Sequence, residues 1–219
     1  MFTMFAVASP TAAAPNSGPL QPDVTYTGFA SYDTNPGGYG KCSYPDRSST
    51  YTAGVGPGVF GGSLVCGGYL AVTGPKGTVR VEVVDQCAGC GPGDLNMDLA
   101  AFEAIGSPLE GRAPISWKLT DADPTGGLTY RSWPGSNRWW GAMQLTNSRY
   151  PVSKLEVSSE GSWKTMSRRE DNYFLVSGVN SPPYRMRVTD IYGDTVVEDQ
   201  VPMFESGGTY QGSQQFPQH

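Results

Sequence analysis

The sequence predicts an all-β chain of two modules, a compact barrel followed by an antiparallel sandwich. Three observations carry that prediction. Glycine (29) and proline (18) are abundant among 219 residues, which suits loop-rich β structure better than helices. Strand-like runs recur at short spacing through both halves. A helical stripe occurs only in the short stretch Leu99 to Ile105.

Residues 1–22 read as a leader. A short apolar start runs into Ala, Ser and Pro, and Thr-Ala-Ala-Ala offers a small-residue cleavage site. The first basic residue is Lys41, so the charged part of a signal is missing, and the segment is read as a secretory remnant. The barrel is placed at 23–122. VTYTGFASYD is its first strand, followed by Gly-rich loops with short strands. GGYLAVTG and TVRVEVVD form a hairpin with Pro75, Lys76 and Gly77 in the turn. Val79, Val81 and Val83 share one strand face, and Asp85 has the same parity. The strand thus ends in a carboxylate on the side expected to face the core. A CxxC loop leads to Asp98 and the helix, where Leu99, Phe102 and Ile105 share a stripe and Gly106 takes the C-cap position. APISWKLTD is the last barrel strand.

Residues 123–127 form a linker short enough to keep the modules close and a surface continuous across both. The sandwich is placed at 128–204, from LTYRSWP through RWWGAMQLTN, KLEVSS, SWKTMSR, NYFLVSG and YRMRVTDIYG to DTVVEDQVP. The tail, 205–219, is polar and expected to be loosely held.

Composition excludes several functions. Residues 1–124 carry six basic and eleven acidic side chains, and residues 125–219 carry nine of each. Neither half has the basic excess of a nucleic-acid binder, and strong attraction to acidic polymers is not expected. No apolar run approaches the roughly 18 residues of a membrane span. The only histidine is His219, which argues against Ser-His-Asp catalysis, Cys-His catalysis and His-ligated metals. No cofactor or metal is implied, and a monomer is expected. Cys42, Cys66, Cys87 and Cys90 suggest two disulfides in a secreted protein. Three pairings are possible; Cys42–Cys66 with Cys87–Cys90 is preferred, and the choice stays open.

VVDQC and LNMDLAAFEAIG in the first module resemble the barrel motif of the expansin family. RWWGAMQLTNSRYPVSKLEV and YRMRVTDIYGDTVVEDQVP resemble the second domain of bacterial expansins. The resemblance covers roughly residues 24–204, with two modules matching in the right order. It implies a six-stranded double-psi β-barrel followed by an immunoglobulin-like, cellulose-binding sandwich.

The same resemblance gives Asp98 and Asp85 their roles as groove acids. By residue type alone Asp98 is a helix N-cap, worth about 1 kcal/mol, and Asp85 a hydrogen-bonded structural acid. In related barrel endoglucanases the acid matching Asp98 is the general acid; in expansins it is needed for wall loosening. The family's His-Phe pair before it is Asn96-Met97 here, and the Tyr that often follows Asp85 by two residues is Cys87. Ser31 aligns with a groove Thr, and Tyr32 offers either a sugar-stacking ring or core packing. Asp33 lies close to the catalytic base of the endoglucanases, which expansins lack; the alternative is a turn-initiating Asp.

Flat aromatic arrays dock the apolar faces of glucan chains. Trp139 and Trp140 match the first two rings of the family's platform. Strict alternation would bury Trp139 beside Met143 and Leu145, so both rings face outward only if the strand bends or starts late. Asp171 stands where the family has its third aromatic, and Tyr173, of the same parity, is expected to substitute. Trp133 either extends the platform or packs under it, and Trp163 is expected to pack in the core or at an edge.

The expectation is therefore a secreted, non-hydrolytic expansin-like protein that binds cellulose and other β-glucans of the plant cell wall. Three rivals stand beside it: an endoglucanase with Asp98 as acid and Asp33 as base, a peptidoglycan-acting barrel, and an adhesion protein with an inert barrel.

Overall fold

A computed structural model describes residues 18–34, 40–45, 51–137 and 139–219. The expected leader up to residue 17, and positions 35 and 36 of the turn expected after Asp33, lie outside these. The chain forms an all-β pair of modules. No helix among the described residues is long and apolar enough to cross a membrane.

The first module uses strands β1 (Tyr26–Asp33), β2 (Thr52–Val55), β3 (Tyr69–Gly74), β4 (Gly77–Gln86), β5 (Leu95–Asp98) and β6 (Ala113–Thr120). They close in the order β1-β5-β2-β4-β3-β6. β1 runs parallel to β5 and β2 parallel to β4, while the other neighbours are antiparallel. This is the six-stranded double-psi β-barrel. Its crossing loops need close backbone approach. Gly93 has φ +78°, and a Cβ there would sit 2.1 Å from the Thr27 carbonyl. The Gly93 carbonyl accepts from Trp117 Nε1 at 2.7 Å.

Helix α1 (Pro57–Phe60) is a single turn, and α2 (Leu99–Ile105) follows β5 directly. Ala101, Phe102 and Ile105 of α2 are buried, whereas Leu99 is half-buried, so the stripe is rotated from the expected one. Gly106 takes the C-cap with extended backbone rather than a left-handed one. Space is its reason, since a Cβ would lie 2.9 Å from that of Ala113.

Packing starts inside the expected leader: Leu20 is buried in the barrel core, and the Gln21 N–H donates to Tyr26 Oη at 2.8 Å. The disulfides are Cys42–Cys66 and Cys87–Cys90.

The second module comprises β7 (Thr129–Ser132), β8 (Trp140–Thr146), β9 (Val152–Ser159), β10 (Ser162–Thr165), β11 (Ser167–Arg168), β12 (Phe174–Ser177), β13 (Tyr184–Asp190), β14 (Thr195–Val201) and β15 (Gly208–Gln211). Two sheets, β10-β9-β13-β14 and β11-β12-β8-β7-β15, face each other across an apolar core. Together they make the immunoglobulin-like sandwich. Here the loose tail expected at 205–219 is overturned. Residues 208–211 are β15, paired with β7, and Phe216 is buried in the sandwich core. Alternation is weak in GTYQ, but the ladder and one buried ring supply what the polar composition conceals.

The modules pack closely. Gln144 is fully buried and its Nε2 donates to the Cys42 carbonyl at 2.9 Å. Asn172 Nδ2 donates to Tyr44 Oη at 3.0 Å, and Arg168 donates to the carbonyls of Ser63 and Val152. Burial lowers the Arg168 guanidinium pKa to about 10 and pushes that of Tyr44 up. The linker is pinned, because Asn147 Nδ2 donates to the Thr125 and Gly127 carbonyls at 2.9 and 2.7 Å. Arg149 pairs with Asp121 at 2.5 Å.

Candidate functional site

The register of the barrel builds a polar groove. β1 aligns Ser31 with Asn96 and Asp33 with Asp98 on β5. β5 in turn aligns Asn96 with Gly54 of β2, and β2 aligns Gly54 with Asp85 of β4. Residues paired across strands share a face. One row therefore runs Ser31, Asn96, Gly54, Asp85, and the next holds Asp33, Asp98 and Thr52. Asp33, Thr52, Gly54, Asp85, Asn96 and Asp98 all line a groove of about 120 Å³.

Asp85 reaches this face by a route that parity misses. Ala53 pairs with Val83, but the next residue, Gly54, pairs with Asp85, so Val84 is an extra residue in β4. A bulge of this kind reverses the alternation beyond it. The expectation that Asp85 shares the face of Val79, Val81 and Val83 is corrected accordingly: Val83 points into the core and Asp85 into the groove. Asp85 Oδ1 accepts from the N–H groups of Lys41 and Gln86 at 2.7 and 2.8 Å. Gly40 permits that approach, with φ +60° and its would-be Cβ only 2.3 Å from the Val84 carbonyl.

Asp98 caps the helix and lines the groove. As N-cap it accepts the Ala101 N–H through Oδ1 at 2.9 Å. Its Oδ2 accepts from the N–H of Thr52 and from Thr52 Oγ1. Its carboxylate is thus fixed by β2 and by the helix. Ser31 Oγ donates to Asn96 Oδ1 at 3.1 Å, which places its hydroxyl on the groove face.

Tyr32 belongs elsewhere. It aligns with Met97 rather than with the groove row. Its ring packs on Phe102 of α2 at 4.9 Å, and its hydroxyl donates to the Pro108 carbonyl at 3.1 Å. The sugar-stacking reading of Tyr32 is withdrawn in favour of packing, because the alternation that exposes Ser31 and Asp33 turns Tyr32 inward.

On the sandwich, Trp139, Trp140 and Trp133 are 74%, 41% and 43% exposed. β8 starts at Trp140, so Trp139 precedes the pleat and alternation does not bury it. Asn137 holds this entry turn. Its Oδ1 accepts from the N–H groups of Trp139 and Trp140 at 2.9 and 3.1 Å, and its own N–H donates to the Trp140 carbonyl at 2.7 Å. Trp133, Trp140, Ala142, Arg169, Asp171 and Tyr173 line a recess of about 130 Å³.

Tyr173 does not replace the missing ring. It is 1% exposed and meets Trp133 edge-on at 4.9 Å. The physical reason is the tight turn before β12, where Arg169 N–H donates to the Tyr173 carbonyl at 2.7 Å. Tyr173 becomes a floor under Trp133, and burial raises its pKa. At the rim stands a two-pronged ion pair, Arg169 Nε to Asp171 Oδ1 at 3.0 Å and Nη2 to Oδ2 at 2.8 Å. Trp163 is packed under Arg187, whose guanidinium lies 4.6 Å from its ring centroid.

Lys41 connects groove and platform. Its N–H holds Asp85. Its ammonium lies 2.6 Å from Gln86 Oε1 and 3.2 Å from Glu170 Oε2, next to the Arg169–Asp171 pair. Lys41, Thr52, Asn96 and Asn137 were not identified from the sequence. Asn96 alone had a signal there, two residues before Asp98 on one strand face. A cavity of about 530 Å³ lies between the modules, and none of the groove acids lines it.

No family model matches the chain. Expansin-YoaJ of Bacillus subtilis (strain 168) is 37% identical over 166 residues, covering 73% of this chain and 71% of that protein. Expansin-like protein 2 of Dictyostelium discoideum is 29% identical over 176 residues, covering 72% of this chain and 42% of that protein. A crystal structure of a Clavibacter michiganensis expansin mutant in complex with cellohexaose matches with a TM-score of 0.81 and 32% identity, over 90% of this chain and 100% of that one. The apo form of the same protein matches with a TM-score of 0.81 and 31% identity.

Proposed function

The chain belongs to the expansin family, and from that premise we propose that it is a secreted protein that binds cellulose and loosens glucan contacts in plant cell walls without hydrolysis. The observation that carries this reading is the run of exposed Trp133, Trp139 and Trp140 beside a carboxylate groove, joined through Lys41 and Glu170. Rings of this kind stack on the apolar faces of a glucan. Asp98 and Asp85, with Ser31 and Asn96, then offer acceptors and donors that compete for the hydroxyls holding one glucan chain to another. Cellohexaose in the related Clavibacter structure supports a β-glucan as the ligand. Two disulfides and no unpaired cysteine among the described residues support secretion. The test is paired measurement of wall extension and reducing-end release. Extension without sugar release, lost in Asp98→Ala, is expected.

The alignment of Asp33 with Asp98 on parallel neighbouring strands favours a second reading, that of a glycoside hydrolase. An inverting glycosidase needs its two carboxyls about 6.5–9.5 Å apart, with room for a water between them. Sugar release that falls in Asp33→Asn would decide for it. A pull-down on cellulose against bacterial sacculi separates both from the peptidoglycan reading.

A further inference from the structure

We propose that Asp190, Asp194 and His219 form a binding site for a divalent transition-metal ion, with zinc as the type ion, beside the junction of the two modules. One carboxylate oxygen from each Asp and one imidazole nitrogen lie within 4.8 Å of one another. The site is independent of the groove and the tryptophan platform.

A cluster of acids alone carries little. The second observation is Asp190 itself. It ends β13 and is 1% exposed. Its Oδ1 accepts from the N–H groups of Tyr192 and Asp194, both at 2.9 Å. Its Oδ2 is buried and has no hydrogen-bonding partner among the described residues. An orphaned carboxylate oxygen is costly to bury and rare. The Asp194–His219 contact, at 2.5 Å, accounts for those two side chains but leaves Asp190 Oδ2 unexplained. A cation bound by all three accounts for every member.

The imidazole is positioned in advance. The His219 backbone N–H donates to Tyr150 Oη at 3.0 Å. Its ring stacks on Tyr192 at 4.1 Å, with the planes 10° apart. Tyr150 is buried in the barrel's core cluster, and Tyr192 packs against that cluster. Two carboxylates and an imidazole suit zinc and its first-row neighbours, whereas calcium and magnesium prefer oxygen alone. Three protein ligands leave a fourth tetrahedral position for water. At metal–ligand distances of about 2.1 Å, tetrahedral neighbours stand about 3.4 Å apart. The His219–Asp194 contact would therefore open by about 1 Å, which their part-exposed side chains allow. The reading from composition, that a single histidine argues against a His-ligated metal, overlooks this arrangement because its carboxylates come from a turn distant in the chain, Asp194 being 25 residues from His219.

The sole histidine is also the reporter. Zinc sulfate is titrated into the untagged full chain, with imidazole resonances, chelator competition and thermal melting as readouts. One equivalent is expected to bind, move the His219 signals and raise Tm, while calcium at the same concentration does neither. Loss of a direct ligand in His219→Ala or Asp194→Asn should weaken binding by more than the roughly 10–100-fold typical of losing a group that only hydrogen-bonds a ligand. Both positions are part-exposed, so neither variant depends on the buried Asp190. Imidazole signals that stay fixed at a zinc excess, or zinc affinity undiminished in His219→Ala, overturn the proposal.

Discussion

Asp33 and Asp98 are direct partners on parallel strands, β1 and β5, and both carboxylates line the groove. Asp98 is also bound by a helix and by β2. Its substitutions therefore separate structure from function. Asp98→Asn keeps an oxygen for the Ala101 N–H but can turn an amide donor toward the Thr52 donors. A loss of about 1–2 kcal/mol is expected from that mismatch. Asp98→Ala removes the cap as well and should cost about 1 kcal/mol more. Wall extension should be lost in both, so activity would not track stability. Denaturant melts beside creep assays check this.

The platform divides between surface and floor. Trp139→Ala removes a ring that is 74% exposed, so stability should change by less than about 0.5 kcal/mol while cellulose pull-down falls several-fold. Tyr173→Ala removes a buried ring and should destabilise the sandwich by about 3–5 kcal/mol. Equal effects of the two changes on stability would contradict this division.

Binding through stacking predicts weak salt dependence. The residues from 125 onward carry equal numbers of acidic and basic side chains. Cellulose affinity should change less than about twofold between 50 and 500 mM salt, since screening acts on charge rather than on ring faces. A steep decline would assign the binding to the Arg169–Asp171 rim instead.

Glu156 sets an acid limit for the sandwich. It is buried on β9 and accepts from Arg187 Nε at 2.7 Å, with Lys154 Nζ at 3.2 Å. The Arg187 hydrogen bond holds its pKa below the usual 4.5. A lowered native pKa gives stability that is fully present above 4.5 and lost as pH falls through the native value. The Tm of the wild type should therefore drop more steeply below pH 4.5 than that of Glu156→Gln.

Gln144 ties the modules together. Gln144→Leu keeps the volume but leaves the Cys42 carbonyl without its donor. A cost of about 1–3 kcal/mol is expected. Faster hydrogen exchange at residues 40–45 would locate the effect at the junction.

Much of this was legible in the sequence where one local rule governed. Asp98 and the helix after it were visible because a cap and a stripe need only neighbours. The β3–β4 hairpin was visible for the same reason. What escaped depended on partners distant in the chain. The bulge at Val84 exists only in the pairing with β2, a strand hidden in a Gly-rich stretch, so Asp85 was given the wrong face. Tyr173 carried the right parity, but a turn replaced the strand that parity assumes. Strand β15 has almost no apolar pattern and is held by its ladder to β7.

The pinned linker has a consequence for how a polymer is gripped. With Asn147 and Arg149 fastening the connection, groove and platform keep a fixed spacing. A glucan long enough to reach both would meet the second site at high effective concentration once seated on the first. A glucan too short to span them would gain nothing from having both. The same residues expressed as two separate modules should each retain part of the affinity, and the product of chain length and rigidity would be lost.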